Sequence, residues 1–197
     1  MNIQVIVGST RPGRATLSVA KWVAAEAANL PSANVEIVDL ADFGLPFFDE
    51  AISPRYNSDR KPAPEVQKWL DKIAEADAYV YVTPEYNHSI AGVLKNAIDF
   101  LTYEMKQKPV AVVSHGGVGG ARAATHLKEI LSEAAGTIIP SGVQLVGYVN
   151  QGGLIDENGV LDATVKANPY GPQGAVIGMM ADLQWHSDAL AAARAAN

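Results

Sequence analysis

The chain has no cysteine, which removes disulfides, thiolate metal sites and cysteine nucleophiles together. Basic residues are also few: 15 Lys and Arg stand against 21 Asp and Glu, a net charge of -6. Binding to nucleic acid or to a membrane surface needs clustered cations, so neither partner is expected. No apolar run is long enough to span a bilayer, and the first seven residues lack the features of a signal peptide. A cytoplasmic protein is therefore expected. Charged residues make up 18% and hydrophobic residues 48%, the balance of a globular chain with a sizeable core. The 197 residues read as one domain, 1–197, with no internal repeat, low-complexity tract or interdomain linker.

What the chain does have is alternation. Apolar runs at Ile3–Val7, Val35–Val38, Tyr79–Thr83, Val110–Ser114 and Val143–Val149 read as buried parallel strands. Between them, spacings of three and four place Leu17, Ala20, Ala24 and Ala27 on one helical face, and Val66, Trp69, Leu70 and Ile73 on another. Leu94, Ala97, Ile98 and Leu101 mark a third helix, and Ala124, Leu127, Leu131 and Ala134 a fourth. Strand and helix taking turns predict an α/β fold, a doubly wound five-stranded parallel sheet with helices on both faces. Pro109 suits a strand start and Gly136 a helix C-cap. Two segments break the rhythm. Residues 41–63 hold Pro46, Pro54 and Pro62 without a period, the mark of a functional or interface loop. Asp156-Glu157-Asn158-Gly159 signals a tight turn, and Asn168–Pro172 precedes a last helix over Gln173–Arg194.

Three loops carry chemistry. After the first strand come Gly8-Ser9-Thr10-Arg11-Pro12-Gly13-Arg14-Ala15-Thr16, hydroxyls and cations at a helix N-terminus. Free N–H groups and the positive end of the helix dipole make that place an anion site, and a phosphate suits this donor set. Taken alone, the segment can also be read as a solvated polar loop. It is neither a P-loop nor a dinucleotide fingerprint, because the Gly-Lys-Ser/Thr and the third glycine are missing. After the third strand, Pro84, Glu85, Tyr86 and Asn87 offer a rigid turn, a flat ring and an amide; Asn87 or Ser89 could instead be simple N-caps. After the fourth, Ser114-His115-Gly116-Gly117-Val118-Gly119-Gly120 lets the backbone approach a ligand closely, or is merely a flexible turn. All three should meet outside the carboxyl ends of the strands, and that convergence outweighs any one of them.

Other chemistries are poorly represented. The four His show no metal spacing, so no metal is expected, and no Gly-x-Ser-x-Gly elbow surrounds Ser9 or Ser114. His88 reads as a surface residue, Lys95 with Asp99 as a surface ion pair, and Trp22, Trp69 and Trp185 as core or interface packing.

The first loop, Pro84-Glu85-Tyr86-Asn87 with Gly92-Leu94-Lys95-Asn96-Ala97-Asp99, and Ser114-x-Gly-Gly-x-Gly-Gly-x-Arg122 together resemble the NADPH-dependent FMN reductase family, over residues 2 to about 161. The family is flavodoxin-like and includes flavin, quinone, azo-dye and chromate reductases. Carried over by position, the resemblance implies that Ser9, Arg11, Arg14 and Thr16 cradle the FMN phosphate. Pro84, Glu85, Tyr86 and Asn87 would run along the isoalloxazine and ribityl chain, and Ser114, Gly116 and Gly117 would form the second wall. Many relatives carry Ser and Asn where this chain has Arg14 and Thr16. The implied activity moves hydride from NADPH or NADH through FMN to a small-molecule acceptor such as free flavin, a quinone, an azo compound or chromate. No side chain is assigned a catalytic role, because the flavin carries the chemistry. A homodimer or homotetramer is implied, with the 41–63 loop able to close a neighbour's site. The alternatives are a non-enzymatic flavodoxin-type electron carrier, a flavin-sensing regulatory protein, or a phosphate-ester enzyme on the same scaffold.

Overall fold

A computed structural model describes residues 1–147, 149 and 153–196. Five strands, β1 (Asn2–Val7), β2 (Asn34–Asp39), β3 (Ala78–Pro84), β4 (Pro109–Gly116) and β5 (Thr137–Val146), form one parallel sheet in the order β2-β1-β3-β4-β5. This is the expected flavodoxin-like arrangement. The helices are α1 (Thr16–Ala27), α2 (Pro64–Ala74), α3 (Gly92–Asp99), α4 (Ala121–Glu133), a short α5 (Ala163–Lys166) and a long α6 (Pro172–Ala195). Among the described residues, no helix is long and apolar enough to cross a membrane.

Two apolar layers sandwich the sheet. On one face α2, α3 and α4 bury Val66, Trp69, Ile73, Leu94, Leu127 and Leu131 against Ile6, Tyr79, Tyr81 and Val112. On the other, α1 and α6 bury Val19, Trp22, Val23, Val176, Met179 and Leu183 against Val5, Val80 and Val113. Each such side chain contributes about 1.5–3 kcal/mol when removed from water. Trp69 also needs a polar partner, and its indole N–H donates to the Ala97 carbonyl at 2.8 Å. Trp22 is buried as expected, whereas Trp185 is 66% exposed.

Departures from expectation have local causes. The reading of β2 and β5 as fully buried does not hold: both are edges, with burial alternating along β5 and Glu36 and Ile37 of β2 exposed. β5 starts at Thr137, six residues before the expected Val143, and includes Pro140. An edge strand tolerates proline, and the register shifts here between Val110 and Val112. The expected strand end at Val149 is instead a turn, and Tyr148 lies outside the described residues. The C-cap of α4 is Ala134, and Ala135 takes the left-handed conformation at φ 66°. Gly136 follows it, donating to the Leu131 carbonyl at 3.0 Å. A Cβ on Gly136 would sit 2.8 Å from Val110 Cγ2, so this glycine serves close approach to β4.

The tight turn at 156–159 forms as expected, with Ile155 and Leu161 paired across it. The 41–63 loop is held at several points: Phe48 N–H donates to Asn96 at 2.8 Å, Asn96 donates to the Pro46 carbonyl at 2.7 Å, and Arg60 forks onto Glu50 at 2.7 and 2.8 Å. The strand order reverses between β1 and β3, where the Gly8 N–H reaches the Val82 carbonyl at 2.9 Å. Ligands of open parallel sheets sit at such a point, outside the carboxyl ends of the strands.

Candidate active site

The loops after β1, β3 and β4 enclose a cleft of about 330 Å³ at that switch point, lined by residues from all three together with Gly147 and Val149. Arg11, Arg14, Pro84, Glu85, Tyr86, Gly116 and Gly117 line it directly. Four other candidates do not. Ser9 lies beneath the cleft, its Oγ 3.0 Å from the Tyr86 hydroxyl and accepting from the Arg11 N–H at 3.3 Å. Ser114 is buried, and its hydroxyl donates to the Gly119 carbonyl at 2.7 Å, bracing the glycine loop from inside. Thr16 is buried with its Oγ1 3.0 Å from His115 Nε2. Asn87 is exposed on a turn, where it and His88 take left-handed conformations at φ 49° and 68°. That turn is closed by Tyr86 and Ser89, whose backbones exchange hydrogen bonds at 2.9 and 3.0 Å. Neither Asn87 nor Ser89 is the N-cap of α3; Ala91 is.

The first loop delivers the start of α1 to the cleft. The ladder begins with Val19 N–H donating to the Ala15 carbonyl at 3.1 Å, so the N–H groups of residues 15–18 precede it. The two arginines then differ. Arg14 is paired with Asp39 at the end of β2, both side chains mostly buried, and its Nε is buried without a partner. Asp39 is itself fixed by the Ala41 N–H at 3.0 Å. Arg11 forms no ion pair among the described residues, and its guanidinium lies 5.9 Å from the centre of the Tyr86 ring. The uncompensated positive charge of the first loop is therefore that of Arg11. N–H groups ahead of the helical ladder, an arginine without an ion pair and a buried arginine with a spare donor suit a phosphate.

Glu85 joins the second and third loops. Its carboxylate accepts from the Arg122 backbone N–H at 3.2 Å and from Arg122 Nε at 2.7 Å, which caps α4. Burial alone would raise its pKa, but the hydrogen bonds and charge of Arg122, with the Ala123 and Arg122 N–H groups, hold it below the ordinary value. Glu85 N–H also donates to the His115 carbonyl at 3.1 Å. His115 lines the cleft as well, and burial pushes its imidazole down to about 4. The sequence pattern had assigned His115 no role. Its signal was strand parity, since it shares a face with Ala111 and Val113, the face that α1 covers. Among the described residues no group of three His, Asp or Glu could hold a metal.

The profile of the family described as NADPH-dependent FMN reductase matches residues 1–151. The NAD(P)H-dependent FMN reductase of Schizosaccharomyces pombe is 39% identical over 128 residues, covering 65% of this chain and 64% of that protein. An NAD(P)H-dependent FMN reductase of a Nectria species is 36% identical over 169 residues, covering 79% of this chain and 84% of that protein. Among solved structures, the flavoenzyme NAD(P)H:(acceptor) oxidoreductase FerB of Paracoccus denitrificans superposes with a TM-score of 0.72 at 26% identity, over 94% of this chain and 98% of that one. The matched stretch holds all five strands and the three loops that shape the cleft, and on that basis the chain belongs to the NADPH-dependent FMN reductase family.

Proposed function

We propose that the chain is a single FMN-binding domain, 1–197, that oxidises NADPH or NADH and reduces a small-molecule acceptor. One observation carries this reading: three separate loops build one cleft, lined by Arg11 and by Ala15 at the start of α1. FMN bound there would accept hydride from a nicotinamide nucleotide and pass the electrons to an acceptor on the same open face. Arg11, Arg14 and the N–H groups of residues 15–18 would hold the phosphate. Pro84, Glu85, Tyr86 and Asn87 would flank the ring and ribityl chain, with Asn87 reaching in from the rim. Gly116 and Gly117 would face the ring with backbone N–H groups, which favour negative charge developing at its pyrimidine edge. Ser9, Thr16 and Ser114 act one bond behind the cleft, through Tyr86, His115 and the glycine loop. The acceptor is of the class shared by free flavin, quinones, azo compounds and chromate. A homodimer or homotetramer is supported by the exposed Phe47, Ile52 and Tyr56 of the 41–63 loop.

Stopped-flow mixing with NADH and NADPH, followed by an acceptor panel, tests the proposal. Fast reduction of bound FMN and steady turnover are expected. A protein that binds no FMN and leaves NAD(P)H unoxidised with FMN and a quinone present would sink it. Binding without turnover would favour an electron carrier or sensor.

A further inference from the structure

His115 is the cleft residue whose use is not yet explained, and the geometry around it is specific. Its ring turns under the first turn of α1, where Thr16 Oγ1 lies 3.0 Å from Nε2. Thr16 is 0% exposed, and that nitrogen is its hydroxyl's partner among the described residues. A buried hydroxyl must donate its proton somewhere or leave it unsatisfied. If Nε2 donated to Thr16, the hydroxyl proton would have no acceptor. When the hydroxyl donates to the Nε2 lone pair instead, both groups are satisfied. Burial keeps the imidazole neutral at physiological pH, so the ring carries one N–H, and that proton then sits on Nδ1. Nδ1 has no protein partner among the described residues and is not sealed from the cleft that His115 lines with Arg11, Arg14 and Ala15.

We propose that His115 is a positioning residue for the phosphate end of FMN, held by Thr16 in the tautomer that points a neutral N–H donor into the cleft. The proposal rests on the FMN reading above. The charged groups nearby are largely cancelled: Arg14 by Asp39, and Glu85 by Arg122, leaving Arg11 from the first loop. A neutral donor adds recognition of an anionic oxygen without burying a further charge. The arrangement depends on a residue pair 99 positions apart.

The test is titration of flavin-free protein with FMN and with riboflavin, followed by flavin fluorescence, alongside the ¹⁵N shifts of the His115 ring. The wild type should show Nδ1 protonated. His115→Gln should lower the ratio of FMN to riboflavin affinity about tenfold, the loss of one hydrogen bond to a charged acceptor. In His115→Asn the amide nitrogen falls where Nδ1 stood, so the ratio should stay within about threefold of wild type. Thr16→Ser keeps the hydroxyl and should keep both the ratio and the tautomer, whereas Thr16→Val should lose both. An Nε2-protonated ring in the wild type overturns the proposal. So does an equal loss for the two flavins, an unchanged ratio in His115→Gln, or equal loss in the Asn and Gln variants. Wild-type protein that binds no FMN fails the functional reading instead, and the ring shifts still report the tautomer.

Discussion

The two edges of the sheet use similar residues to different ends. At the amino edge, four polar side chains terminate on backbone. Asp77 accepts from the Asn2 N–H at 2.8 Å, Lys108 donates to the Ala74 carbonyl at 2.8 Å, Tyr79 donates to the Ile73 carbonyl, and Arg194 donates to the Gln107 carbonyl. Each closes a strand or helix end and leaves little to offer a ligand. At the carboxyl edge, side chains pair with one another: Arg14 with Asp39, Glu85 with Arg122, Thr16 with His115, Ser9 with Tyr86. Those pairs brace the loops around the start of α1, where the N–H groups of residues 15–18 precede the helical ladder.

The largest expected effect would break the carboxyl edge outright. Gly120 sits at φ 71°, and a Cβ there would lie 2.9 Å from the His115 carbonyl oxygen and 3.0 Å from Ser114 Cβ. Gly120→Ala should cost about 3 kcal/mol in denaturant unfolding, from left-handed strain plus overpacking, and should weaken FMN binding. Gly117→Ala meets nothing within 4 Å and should be tolerated in stability.

Acid separates the edges next. The unfolded His115 protonates near 6.5 and the folded one only at about 4, so the unfolded state gains the proton first as pH falls. Stability should therefore drop by about 3 kcal/mol between pH 7 and pH 4, and His115→Asn should flatten that limb. Glu85, whose folded pKa is lowered, adds a loss of the same sign as pH falls through that value. Lys108 is pushed down from 10.5, chiefly by burial, and titrates at alkaline pH. Lys108→Met should leave the acid limb unchanged.

Arg11→Ala sharpens the comparison at the ligand. FMN affinity should fall about tenfold while riboflavin affinity holds, because a charge-assisted bond to phosphate is lost. Equal losses would refute the phosphate role. Least affected should be a pair belonging to neither edge: Lys95→Ala removes a surface bridge to Asp99 at 2.6 Å and should shift stability by at most about 0.5 kcal/mol by thermal melting.

Much of this was legible in the chain. Trp69, Leu70 and Ile73 recur at helical spacing because one face of α2 is buried, and Tyr79–Val82 lacks alternation because β3 is covered on both faces. The start of β5 is not read from the sequence because Pro140 and Gly142 are loop signals that an edge strand accommodates. In the site, Arg11, Tyr86 and Gly116 were visible as residue types in ligand-like loops. The partner of Arg14 was not, since charge in a loop says nothing of which distant carboxylate will meet it. Ser114 carried the same ambiguity: a hydroxyl beside glycines suits a ligand or the Gly119 carbonyl equally well.

Periodicity and loop chemistry are local properties, so the strand–helix alternation and the three ligand-facing loops could be read residue by residue along the chain. Pairing is a property of approach in space. Arg14 meets Asp39 across β1 and β2, Glu85 meets Arg122 across β3 and α4, and Thr16 meets His115 across 99 residues, because parallel strands bring all their carboxyl ends to one edge. Tertiary packing therefore chose which charges cancel, left Arg11 uncompensated, and set the direction of the hydrogen bond that points the His115 N–H into the cleft.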